Sequence, residues 1–232
     1  MEAQVRRRLE YHNARGSLLA PFASGGFSFC VASVRSYGRT DRGDIYPAEL
    51  SICRATISEG VLDEYVCHRI MKCDAIPHGF RATFTDNVNI THKIPLNFPG
   101  DDDWDEIVSD INIITRASET DDDELPILAH PAVGKDVTDF FKWLWRRSSS
   151  VSRYPRVFSL YTFAKLIFGE LPARLNFNPD QLFKASSGYS HGLGCKWHEI
   201  HMPEGLDECA RFQVRKQIGV MNAYHREMSG FF

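Results

Sequence analysis

The sequence lacks any apolar run of the ~18 residues that a membrane-spanning helix needs. It also lacks an internal repeat and a low-complexity segment. The first ten residues contain three consecutive arginines and no apolar signal-peptide core, so we expect an intracellular, reducing compartment. The length of 232 residues fits one large domain or, less readily, two small ones, and 43% hydrophobic with 25% charged residues is typical of a well-cored protein.

The chain has little net charge, and its formal value is −3. Such a balance argues against a protein that coats nucleic acid by bulk electrostatics, but it does not exclude a local basic groove. Six cysteines are present, and without a secretory context they are better read as buried thiols or metal ligands than as disulfides. Cys30, Cys53 and Cys67 lie on apolar strands and are predicted to be core thiols.

The hydrophobic pattern predicts an α/β domain. Three antiparallel strands should open it, at about 27–35, 46–57 and 61–70, with a tight turn at Ser58–Gly60. Helical spacing is clear at 104–115, 137–146 and 206–224, and shorter segments suggest strands at 125–129 and 157–160 and a helix at 163–168. Residues 73–99 show little periodicity and several turn residues, which predicts an ordered loop.

The order of these elements and three local motifs resemble an RNase H-like exonuclease of the proofreading DEDD type, which implies a mixed β-sheet flanked by α-helices. Residues 45–70 are similar to that family's second and third strands. Residues 126–145 resemble its "AHN" turn and helix, with Pro131 where the Asn would stand. Residues 203–218 resemble its last motif, with Glu204 at the His position and Cys209 at the Asp position.

The carboxylates of that family are largely missing. The first strand has no carboxylate between Phe27 and Gly38, and only Asp136 or Asp139 could survive from the family set. Two-metal phosphodiester cleavage needs several carboxylates around a cation pair ~4 Å apart. The sequence therefore predicts a nuclease fold without its standard catalytic metals.

A different set of metal-ligand types is present: Glu49 in the second strand, a Cys-x-x-His pair formed by Cys195 and His198, and Cys209 in the last motif. Zinc accepts all four, and four protein ligands would close a tetrahedral site. The spacing alone is only moderately specific, since a buried thiol and a surface histidine would show the same pattern. His201 is the rival ligand, and His198 is favoured because it gives the tighter chelate.

This Glu-Cys-His-Cys order on a degenerate exonuclease fold resembles the Maelstrom family. The resemblance covers about residues 22–228, so we expect the Maelstrom domain at 22–232. The basic composition of residues 1–21 predicts a lead-in helix or linker before it. It implies a structural zinc ion, single-stranded RNA binding and a role with small-RNA silencing proteins in PIWI-interacting RNA repression of germline transposons. The expected location is perinuclear germ granules of the cytoplasm and the nucleus, with no membrane partner.

The resemblance implies, for some members, single-strand-specific endoribonuclease activity that does not depend on the lost carboxylates. The alternative is an inert RNA- or protein-binding scaffold, and the sequence assigns no catalytic residue. His130 is the best candidate base, because it lies at the loop that faces the former nuclease site. DNA would be bound only through an HMG box that this sequence does not include.

A basic and aromatic segment at 140–158 is the candidate RNA contact. Its arginines could bind phosphates, and Tyr154 could stack on a base. The proposed RNA-binding residues are Arg146, Arg147, Arg153 and Arg156. The alternative is a solvated basic loop beside aromatic residues that pack in the core.

Overall fold

The structure, a computed structural model, describes residues 27–73, 75–116, 124–150, 154–168, 178–184 and 192–229. The strands in this part are β1 (Ser28–Arg39), β2 (Ile45–Thr56), β3 (Gly60–Ile70), β4 (Ile127–Ala129) and β5 (Val157–Ser159). The α-helices are α1 (Arg81–Ile90), α2 (Trp104–Thr115), α3 (Gly134–Trp145), α4 (Leu160–Phe168), α5 (Pro179–Lys184), α6 (Lys196–His201) and α7 (Ala210–Ser229). A 3-10 turn, Leu206–Glu208, precedes α7.

The five strands form one mixed sheet in the order β3-β2-β1-β4-β5. β1 pairs antiparallel with β2 and β2 with β3, whereas β4 lies parallel to β1 and β5 parallel to β4. This is the strand arrangement of the RNase H-like fold, and it confirms both the predicted fold class and the three opening antiparallel strands.

Helices cover both faces of the sheet. Alternate residues of β1 point to opposite faces, so Cys30, Ala32 and Val34 join the core beneath α2 and α3. Phe29 and Val31 belong to the second core, beneath α4 and α7. The central strands are therefore buried on both faces, which is why their sequences read as nearly continuous apolar runs.

The helix α2 begins and ends where its sequence predicts. The side chain of Asp103 accepts a hydrogen bond from the backbone N–H of Glu106 at 3.0 Å and caps the first turn. Ile107, Ile111 and Ile114 form the buried stripe. In α3, which begins at Gly134, the aromatic residues of the basic segment are buried, as the core alternative for them predicted.

The prediction of a continuous loop at 73–99 is wrong, because α1 forms inside it. Thr, Asn and Val have weak helix propensity, so the pattern of this segment does not mark a helix. Phe84 and Val88 are buried against Tyr37, and this packing stabilises α1. Gly38 permits the approach, because a β-carbon there would lie 2.6 Å from the ring of Phe84.

The remaining elements agree with the sequence within a few residues, apart from the short helices α5 and α6, which were not predicted. In the part of the chain that the structure describes, no helix is both long and apolar enough to cross a membrane. The predicted basic lead-in at 1–21 lies outside the described residues.

Candidate metal centre

Glu49 is the buried carboxylate around which the site is built. It lies in β2, directly opposite Arg35 of β1, on the face covered by α7. Its Oε2 accepts a hydrogen bond from the backbone N–H of Ala210 at 2.8 Å, and its Oε1 lies 2.7 Å from His68 Nε2. A buried carboxylate is tolerated only when such partners replace water.

The other three ligand candidates come from the segment before α7. Cys195 immediately precedes α6, so the helical turn places His198 beside it, with Cys195 Sγ and His198 Nδ1 3.0 Å apart. Cys209 immediately precedes α7, and its Sγ lies 3.4 Å from Glu49 Oε1. The separation between His198 Nδ1 and Glu49 Oε1 is 3.7 Å.

The ligand atoms of Glu49, Cys195, His198 and Cys209 all lie within 4.8 Å of one another, and all four residues are buried. Around a tetrahedral zinc ion, ligand atoms at ~2.0–2.3 Å from the metal would be roughly 3.3–3.8 Å apart. Three of the separations, 3.0, 3.4 and 3.7 Å, lie near this range, and the donor set of two sulfurs, one nitrogen and one oxygen suits a single cation. The rival His201 is outside this group, since its Nδ1 faces the carbonyl of Trp197 at 2.8 Å.

The protonation of the group also suits a cation. The hydrogen bond with Cys209 lowers the pKa of the Cys195 thiol, although burial opposes it, and the same bond together with burial raises the pKa of Cys209. Burial lowers the pKa of His198, but the hydrogen bond with Cys209 and the charge of Glu49 outweigh it and raise the pKa overall. A bound divalent ion would take the place of the protons that this cluster otherwise shares.

Two further histidines surround the group. Burial raises the pKa of Glu49, but the hydrogen bond from His68 and the nearby histidine charges outweigh that effect and lower it. His92 is buried, and burial lowers its pKa to about 4, so its ring is neutral at physiological pH. The sequence analysis did not identify His68 as a partner of Glu49. The available signal was the antiparallel pairing of β2 with β3, in which alternate side chains of the two strands share a face.

The comparison with family models decides the relationship. The model of Maelstrom, described as a piRNA pathway germ-plasm component, matches residues 39–221. The chain belongs to the Maelstrom family. No curated protein matches it in a direct search.

Two solved structures of exonuclease I resemble this Maelstrom chain. One, in complex with the inhibitor BCBP, aligns with a TM-score of 0.48 and 12% identity, covering 88% of this chain and 43% of the exonuclease. The other, a product-bound structure, gives a TM-score of 0.42 and 11% identity, covering 88% and 45%. The chain thus spans less than half the length of either exonuclease.

In this Maelstrom domain, the two aspartates at the start of α3 are paired with an arginine of β1. Arg39 binds both Asp136 and Asp139, with its Nη1 2.8 Å from Asp139 Oδ2. Arg35 donates to the backbone carbonyls of Glu208 and Asp207 at 2.9 and 2.5 Å, beside the start of α7. Positively charged guanidinium groups therefore lie beside both Asp136 and Asp139 and beside the start of α7.

His130 lies directly after β4, at the carboxyl edge of the sheet. Its Nε2 is 2.9 Å from the hydroxyl of Tyr161, and Tyr161 in turn hydrogen-bonds Asp180. Burial lowers the pKa of His130. The three side chains form a short hydrogen-bonded chain, and His130 Nδ1 accepts a hydrogen bond from the backbone N–H of Ala132 at 3.2 Å, so both ring nitrogens have partners.

The candidate RNA-binding arginines lie at the opposite end of the strands from His130, where β4 and β5 begin. Because α3 connects the parallel strands β4 and β5, it returns to the amino edge, where Arg146 and Arg147 follow it and Arg156 precedes β5. All three are exposed. The guanidinium of Arg147 lies 4.3 Å from the ring centre of Trp143, and Arg153 lies outside the described residues.

Proposed function

We propose that the buried Glu-Cys-His-Cys group holds one zinc ion and that this ion is structural. Two thiolates, one carboxylate and one neutral imidazole form a set that zinc prefers. Four protein ligands leave no open position for an activated water, and the ion would join β2 to residues about 160 positions further along the chain. Zinc content measured by atomic absorption on protein purified without added metal tests this assignment.

We infer that the domain binds single-stranded RNA as part of the piRNA pathway, together with small-RNA silencing proteins that repress germline transposons. The family match to a piRNA pathway component carries this inference. Its proposed locations are the perinuclear germ granules and the nucleus. Imaging of the tagged full-length protein in germ cells, beside a germ-granule marker, tests the location.

Charge reversal of the four candidate arginines should weaken RNA binding. The variant carries Arg→Glu changes at Arg146, Arg147, Arg153 and Arg156. It should bind single-stranded RNA at least ~10-fold less tightly with a smaller salt slope, since each lost phosphate contact reduces that slope by about 0.7. Wild-type protein should prefer single strands to duplex, because only unpaired bases are free to stack. Fluorescence anisotropy at several salt concentrations measures both.

Charge reversal at Arg42, Arg81 and Arg226, together with Lys93→Glu, provides a control with the same change of net charge. An unaltered affinity and salt slope in the first variant would place the RNA elsewhere on the domain.

A second candidate function is RNA cleavage without catalytic metals, and the His130–Tyr161–Asp180 chain favours it. In this mechanism a ribose 2′-hydroxyl takes the place of Tyr161 at His130 Nε2, and the imidazole removes its proton while the 2′-oxygen attacks the adjacent phosphate. The bond from phosphorus to the 5′-oxygen breaks, and the 5′-oxygen takes up a proton. Such cleavage leaves a 2′,3′-cyclic phosphate and a 5′-hydroxyl. Two-metal hydrolysis by a DEDD-type nuclease would instead leave a 3′-hydroxyl and a 5′-phosphate.

Cleavage of single-stranded RNA should therefore persist after magnesium and manganese are removed, and its products should end in cyclic phosphate. His130→Asn should reduce the rate at least ~100-fold without changing RNA affinity, the range expected for loss of a general base. The exposed His78 supplies the control variant His78→Asn. Restoration of activity by magnesium alone would contradict this mechanism, and inactivity under every condition would favour the scaffold.

A further inference from the structure

A pocket of about 480 Å³ opens to solvent beside the metal centre. Its wall includes Cys195, a member of the metal group, and His68, the partner of Glu49. The pocket shares no residue with the candidate RNA-binding arginines around α3. Most of its lining residues, among them Lys196, Trp197 and Arg211, are not members of the metal group.

Two cationic side chains line the pocket. Lys196 begins α6 and Arg211 lies in the first turn of α7, and neither forms an ion pair within the ranges that the structure describes. Arg211 Nε is buried without a hydrogen-bond partner there. Burying a charged donor without an acceptor costs free energy, so this position favours an anionic ligand.

The pocket also offers a surface for a flat ring. Trp197 is held between the stacked ring of His201, 3.7 Å away, and the edge of Phe98, 5.0 Å away. Its indole Nε1 is buried and has no acceptor among the described residues. Ile200 is 72% exposed, and His201 is exposed beside it. These side chains provide an apolar and aromatic surface together with an unused hydrogen-bond donor.

We propose that this pocket binds one nucleotide of single-stranded RNA, with the phosphate between Lys196 and Arg211 and the base against Ile200 and His201. The proposal rests on the RNA binding inferred above and adds a second contact site at the metal-centre end of the domain. Unpaired cations beside an exposed apolar surface match a phosphate joined to a base. An acidic peptide would satisfy the cations but would leave the ring surface unused.

The test compares two double variants of the zinc-loaded full chain. Lys196→Gln/Arg211→Gln removes the pocket cations, and Lys184→Gln/Arg226→Gln removes an equal charge from exposed positions on α5 and α7. The probe is a fluorescein-labelled oligouridylate, followed by anisotropy. We expect the pocket variant to bind at least ~10-fold more weakly, with its salt slope reduced by about 1.4, and the control to match wild type.

A second measurement follows the wild-type protein directly and uses a pocket variant only to assign one resonance. Uridine monophosphate added to wild-type protein should shift the indole N–H resonance of Trp197, which is assigned from Trp197→Phe. An unshifted Trp197 resonance, together with equal RNA affinity of the two double variants, would overturn the pocket proposal and leave RNA binding by the domain intact. Failure of the wild-type protein to bind the oligouridylate would overturn both the pocket proposal and the inferred RNA binding. Equal binding of a polyglutamate peptide, lost in the pocket variant, would overturn the nucleotide assignment in favour of a peptide site.

Discussion

Replacing Cys195 and Cys209 with alanine is expected to lower the melting temperature by about 10 °C or more and to reduce bound zinc well below one ion per chain. The change removes both sulfur donors and leaves Glu49 and His198 buried without the ion. A buried charge that loses its partner costs about 3–5 kcal/mol, and each kcal/mol shifts the melting temperature of a chain this size by about 2–4 °C. Because metal binding stabilises only the folded state, its free energy adds to folding.

The matched control is Cys30→Ala/Cys53→Ala, which removes two buried thiols outside the metal group. This control should lose some stability through cavity formation but keep one zinc ion, and a chelator should lower its melting temperature further. The chelator should have no further effect on the variant without Cys195 and Cys209. Stoichiometric zinc in that variant would refute the ligand assignment.

The two histidines of the same segment provide a finer comparison. His198→Ala should lose the metal, because Nδ1 of His198 lies within the group. His201→Ala should keep it, since that ring is exposed and stacks on Trp197. The opposite pattern in zinc content would make His201 the ligand.

Replacing Gly100 with alanine is expected to destabilise the domain by several kcal/mol. A β-carbon at Gly100 would lie 2.5 Å from three backbone atoms: Ile70 O, Lys72 N and the carbonyl carbon of Met71. Backbone cannot move aside as a flexible side chain can, so the pairing beyond β3 must separate. That pairing includes Asp101 N–H donating to Ile70 O at 2.8 Å.

Gly219→Ala is the opposite control. Gly219 lies inside α7, and nothing lies within 4 Å of the position its β-carbon would take. Alanine there should stabilise the domain by up to about 1 kcal/mol, because glycine is the poorer helix former. Denaturant unfolding of both variants measures the contrast. An unchanged stability of Gly100→Ala would show that the segment after β3 can separate without cost.

Local pattern was sufficient for the elements that bury one regular face. The isoleucines of 104–115 predicted α2 with its observed bounds, and the glycine turn at 58–60 predicted the β2–β3 hairpin. The same reasoning failed for α1 and for the short helices α5 and α6. In α1, contacts with β1 outweigh the weak helix propensity of the segment. The helices α5 and α6 have six residues each, which are too few to show a helical period.

The spacing of the four metal-ligand candidates is only moderately specific by itself, and the resemblance to the Maelstrom family is what indicates a metal site. Tertiary structure alone brings Glu49 beside Cys209, joins His68 to Glu49, and pairs Arg39 with Asp136 and Asp139. It also places Lys196 of α6 and Arg211 of α7 in one pocket. Sequence periodicity reports which face of an element is apolar, whereas these contacts join segments far apart in the chain and depend on how the elements pack.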